Sequence, residues 1–75
     1  MRREPPVLRP KQIAAALEKA GFEVARQTGS HAIMYKTDIR HPISILLHPG
    51  DLPRGTLKAI IRQAGLTMGE FLAFL

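Results

Sequence analysis

Cysteine is absent from the chain, and with it go disulfides, thiolate nucleophiles and cysteine-type zinc sites. Tryptophan is absent too, and one tyrosine and three phenylalanines are the only aromatic side chains. That is too few for a sheet of stacked rings of the kind that holds single-stranded bases. No run approaches the roughly 20 apolar residues needed to cross a bilayer. Arg2 and Arg3 lead into Glu4-Pro5-Pro6 and not into an apolar stretch, so the beginning of the chain does not read as a secretory leader. The expected location is the cytoplasm. Carboxylates are few and scattered, at Glu4, Glu18, Glu23, Asp38, Asp51 and Glu70, whereas two-metal nuclease chemistry needs several together.

What is present is positive charge. The chain of 75 residues carries a formal net charge of +5, with a pI near 10.5. On so small a body that field favours polyanionic partners, nucleic acid above all. The length allows one domain, spanning residues 1–75, with a modest core, since a chain of this size buries only about 60% of the surface it exposes when unfolded. Residues 1–9 hold two prolines and few apolar anchors, and read as a flexible lead.

Over residues 11–20 the apolar positions Ile13, Ala14, Leu17 and Ala20 recur at helical spacing, and Gly21 follows as a stop. Residues 22–27 alternate, with Phe22, Val24 and Arg26 on one side and Glu23, Ala25 and Gln27 on the other. Thr28-Gly29-Ser30 is a turn, and 31–36 and 43–47 are two further strands. The run Ile45-Leu46-Leu47 fits either burial on both faces or a partner contact. A second helix starts at Pro53 or Arg54 and runs to Ala64 on a stripe of Leu57, Ile60, Ile61 and Ala64. Thr67 and Glu70 have the spacing of a capping box, with Leu66 and Phe71 as its hydrophobic staple, opening a short last helix. The predicted fold class is α+β: a three-stranded antiparallel sheet with helices on one face, in the order α-β-β-β-α plus a short C-terminal helix. That element order is the one found in double-stranded-RNA-binding domains.

The three histidines, His31, His41 and His48, have no zinc-ligand spacing, and no metal site or cofactor is implied. Ser30 adjoins His31, but strand neighbours point to opposite faces, which is unfit for a Ser-His-Asp hydrolase. Metal-free cleavage of RNA asks for less: a proton acceptor, a proton donor and cations for the phosphate, the 2′-hydroxyl being the nucleophile. His31, at a strand end after Gly29-Ser30, is the candidate acid–base group. Gly29, Ser30, Lys36, Arg54, Lys58 and Arg62 are candidates for holding phosphate, with the N–H groups at the Arg54-Gly55-Thr56 helix start as further donors. Each also reads as an ordinary solvated or packing residue.

Two segments, Ala20-Gly21-Phe22 leading to Arg26-Gln27-Thr28-Gly29-Ser30-His31, and His48-Pro49-Gly50 followed by the sequence from Arg54 to Leu66, together resemble the HicA toxins. The resemblance runs from about residue 10 to the end. It implies a double-stranded-RNA-binding-domain-like fold and a metal-independent mRNA-cleaving toxin, with His31 as the catalytic histidine and Gly29 as the family's preceding glycine. It further implies a HicB antitoxin that blocks the site and supplies the only contact with operator DNA. Two departures from the family pattern stand out. Ile45-Leu46-Leu47-His48 replaces a Val-Pro-x-His strand end, and Thr37-Asp38-Ile39-Arg40-His41-Pro42 replaces a hairpin with Asp-Gly. Both bear on loop geometry and RNA preference more than on His31. A non-catalytic RNA-binding module of the same fold is the alternative function, and a subunit whose apolar tail, residues 71–75, serves only to bind another protein is a third.

Overall fold

Proline at the first helical position gives up an N–H that would have no partner there, and the first helix, α1 (Pro10–Lys19), begins on Pro10. Gln12 closes the same end, its side-chain oxygen accepting the Arg9 N–H at 2.9 Å. Ile13, Ala16 and Leu17 are buried. Ala14 and Ala20, expected in the apolar stripe, are half-buried at its border. These details come from a computed structural model that describes residues 7–47 and 50–75. The expected loop histidine His48 and most of the expected flexible lead fall outside the described residues. Leu8 does not: it is buried, and its carbonyl accepts the Leu52 N–H at 3.0 Å. The part of the lead next to α1 is therefore docked on the core.

Three strands follow, β1 (Glu23–Thr28), β2 (His31–Tyr35) and β3 (Ile43–Leu46), in the spatial order β1-β2-β3 with both pairs antiparallel. A helix α2 (Arg54–Gln63) and a short α3 (Met68–Ala73) complete the α+β fold. Parity along β2 and β3 divides the sheet. Ala32, Met34, Ile43 and Ile45 are buried, whereas His31, Tyr35, Ser44 and Leu46 are exposed and Ile33 is half-buried. Met34, Ile43 and Ile45 form one core with Ile13 and Leu17 of α1, Leu57, Ile60 and Ile61 of α2, and Phe71 of α3. All three helices thus contribute to one apolar layer, and the opposite face of the sheet is open. The Ile45-Leu46-Leu47 run is not buried on both sides, because Leu46 lies on the open face.

β1 departs from the simple alternation. Val24 pairs with Met34 and Arg26 with Ile33, so Ala25 is an extra residue absorbed in a bulge. Cross-strand partners share a face. Arg26 and Thr28 therefore lie with Ile33 and His31 on the open face, and Arg26 does not share a side with Val24.

The first turn of α3 carries a reciprocal cap. Thr67 Oγ1 accepts the Glu70 N–H at 3.1 Å, and the Glu70 carboxylate accepts the Thr67 N–H at 2.8 Å. Leu66 and Phe71 flank that box, Phe71 having no exposed surface. The Thr67 backbone N–H, and after it the Thr67 hydroxyl, hold the Glu70 carboxyl below its ordinary pKa, because both stabilise the charged form.

Candidate active site

The turn that presents His31 is two residues long. Thr28 and His31 are paired across it, with Gly29 and Ser30 as the loop. Gly29 has φ +55°, and no non-glycine residue, Ser30 included, has a positive φ among the described residues. A positive φ at the first loop position only is the signature of a type II′ hairpin turn, and glycine is the residue that adopts it without steric cost. No atom stands within 4 Å of where a Gly29 Cβ would be. Backbone conformation, not crowding, is what calls for glycine here.

His31 opens the central strand. Thr28 of β1 faces it on one side and Leu46 of β3 on the other. The Ser30 carbonyl accepts the Leu47 N–H, which ties the turn itself to the end of β3. A side chain on a strand paired on both sides is held more precisely than one on a loop. The imidazole projects from the open face beside Thr28 and Leu46, exposed, with no hydrogen-bond or ion-pair partner among the described residues. The face continues through Ile33, Ser44 and Tyr35, and Leu46 and Tyr35 leave 42% and 41% of their surface in solvent. Sharing a face with Ile33 and Tyr35 therefore leaves His31 accessible.

The other sequence candidates fall in different places. Gly29 and Ser30 are the turn beside His31. Gln63, the last residue of α2, shares a cleft with Arg40, His41 and Pro42 just before β3. Arg54 opens the other end of the helix and is exposed. Lys58 and Arg62 are exposed on α2, whose opposite side packs in the core under the sheet. They face away from the surface that carries His31. Lys36 is remote as well. It follows the far end of β2, about 17 Å from His31 at ~3.4 Å per residue. Its Nζ lies 5.7 Å from the centre of the Phe22 ring and 4.0 Å from Asp38. Two open-face residues, Arg26 and Thr28, are absent from the sequence candidates. The repeated pairing of β1 with β2 finds them, and no sequence alternation does.

Among the described residues no three histidine or acidic side chains stand close enough together to hold a metal ion. Among the same residues, no helix is long and apolar enough to cross a membrane.

Comparison with known proteins adds one finding. No curated protein matches the chain significantly. A family model described as the HicA toxin of bacterial toxin–antitoxin pairs matches residues 10–66. The matched span starts on the first residue of α1, takes in the whole sheet with its Gly29-Ser30-His31 turn, and ends after α2. With three-quarters of its length, and every element that builds the open face, inside that span, the chain belongs to the HicA toxin family and is the toxin of a toxin–antitoxin pair, with a cognate antitoxin as its partner.

Proposed function

We propose that the protein is a cytoplasmic mRNA endoribonuclease that works without a metal ion, with His31 as its acid–base residue. The observation that carries this reading is the placement of His31: solvent-exposed, on the central strand, and fixed by pairing on both sides. In the reaction the 2′-hydroxyl of a ribose attacks the adjacent phosphorus while the imidazole takes the hydroxyl proton. The P–O5′ bond breaks, the departing 5′-oxygen is protonated, and the products are a 2′,3′-cyclic phosphate and a 5′-hydroxyl end. A positioned histidine supplies a factor of about 10² to 10⁴ in such a step. Gly29 and Ser30 keep the chain close and narrow beside the imidazole, and Arg54 contributes positive charge from the start of α2. Lys36, Lys58 and Arg62 act at a distance from the reacting phosphate, through the general positive field or on remote nucleotides.

The antitoxin in this reading is HicB-like and masks the open face. The exposed Leu46 beside His31 and the exposed Tyr35 at the far end of the same face support that, being apolar surface a protein partner would cover. Contact with operator DNA is left to the antitoxin.

The test is purified protein with RNA, with and without chelator, alongside His31→Ala. Cleavage that resists chelator, leaves cyclic phosphate ends and disappears in His31→Ala is the expected result. Salt-sensitive RNA binding with no cleavage by the wild type would identify a non-catalytic RNA-binding module instead.

A further inference from the structure

Arg26 is the one lysine or arginine in the three strands, and the bulge at Ala25 sets it on the face that carries His31. We infer that Arg26 grips the RNA phosphate next to the one at His31, an inference that rests on the RNA-cleaving reading of this face. Arg26 pairs with Ile33 and Thr28 with His31, so Arg26 and His31 are diagonal neighbours. Such neighbours are about 7–8 Å apart, within reach of a long side chain. The guanidinium is exposed, and no carboxylate among the described residues stands within ion-pair distance of it. Its planar fork of donors is therefore free for two oxygens of one phosphate, a geometry lysine lacks.

The charge along the face has a direction. Glu23 pairs with Tyr35 at the far end of the sheet, whereas Arg26 lies toward the His31 end. A polyanion laid on this face is drawn to the His31 end and repelled from the other. None of Lys36, Lys58 and Arg62 reaches this surface, which leaves Arg26 as the cation of the sheet itself. Thr28, directly opposite His31, stands two residues from Arg26 on the same face.

The experiment separates this assignment from the nuclease reading by using RNA that cannot be cut. A 2′-O-methyl oligonucleotide is titrated with wild type, Arg26→Gln, Arg26→Lys and Lys11→Gln over a series of salt concentrations. Lys11 is an exposed residue of α1 and controls for net charge. For single strands each phosphate contact contributes about 0.7 to the slope of log K against log salt. Arg26→Gln is expected to lose about that much slope, with Arg26→Lys near wild type and Lys11→Gln unchanged. On cleavable RNA, Arg26→Gln is expected to raise KM by about tenfold with kcat near wild type, as loss of a charged contact to a non-reacting phosphate does, with partial rescue by Arg26→Lys. Binding by the wild type without cleavage, with the Arg26→Gln slope reduced, sinks the nuclease reading and keeps Arg26. An Arg26→Gln slope equal to that of wild type or of Lys11→Gln, in a variant with wild-type circular dichroism, overturns the assignment. Absence of RNA binding by the wild type overturns both.

Discussion

Gly29 shows how a single residue can be needed for shape alone. Its φ of +55° lies where a side chain strains the backbone, while the space around it is empty. Gly29→Ala should therefore cost about 1–2 kcal/mol, the usual penalty for an L-residue in that region. A chain synthesised with D-alanine at the same position should melt within a degree or two of wild type, and comparing the two melting curves is the measurement. If both alanines cost the same, crowding and not handedness is the cause. Gly29-Ser30-His31 was legible in the sequence because glycine before a short alternating run is a local signal. Lys36 was not. Its ammonium lies over the Phe22 ring and its stem passes Gly21, where a Cβ would come within 3.4 Å of Lys36 Cε. Only the folded chain brings those three residues together.

At the scale of elements, the helices and the existence of the first strand were readable, and the phase of that strand was not. Ile13 and Leu17, or Leu57, Ile60 and Ile61, sit at spacings that only a helix gathers on one side, and they are buried as that spacing requires. In β1 every residue is exposed, so no burial pattern fixes its phase, and the extra residue at Ala25 left no trace in the alternation. The start of α3 is the reverse case, since Thr67 and Glu70 satisfy each other's backbone groups as their spacing predicts. Thr67→Ala should destabilise the protein by about 1 kcal/mol in chemical denaturation. The Glu70 carboxyl titrates below its ordinary value of 4.5 in the folded protein. Its contribution to stability is therefore complete above that ordinary value and fades as pH falls through the lower, folded one. Denaturation midpoints of wild type and Glu70→Gln should accordingly differ at pH 7 and draw together in acid. A gap that stays constant to pH 3 would show that the charge on Glu70 contributes nothing.

For the molecule as a whole, one apolar layer holds three helices to one side of a sheet. A domain of this length has about 4–11 kcal/mol of stability, at 0.05–0.15 kcal/mol per residue. Phe71, from the six-residue α3, is fully buried in that layer. Phe71→Ala should cost about 3–5 kcal/mol, which is enough to unfold a large share of the free protein at 37 °C, and circular dichroism would show it. Leu8 is the part of the core that the sequence did not announce, for a lone leucine among prolines has no periodicity. Its bond to Leu52 draws the approaches to α1 and α2 together at one end. Leu8→Ala should lower stability by about 2 kcal/mol, read as a lower urea midpoint with an unchanged slope. The layering itself was foreseeable from element order and from the buried parity of β2 and β3. Which surface stays open was settled by His31 and Tyr35 standing on the side opposite Met34.

The bulge in β1 bears on chain length. Because Val24 and Arg26 already pair with successive residues of β2, removing Ala25 leaves every other pairing in place. Removing Gln27, one residue beyond Arg26, would instead put Thr28 out of step with His31. Two deletions of equal size in one strand thus have unequal consequences. When related chains are compared, a gap opposite Ala25 is compatible with an intact open face, whereas a gap opposite Gln27 marks a chain whose face has been rebuilt.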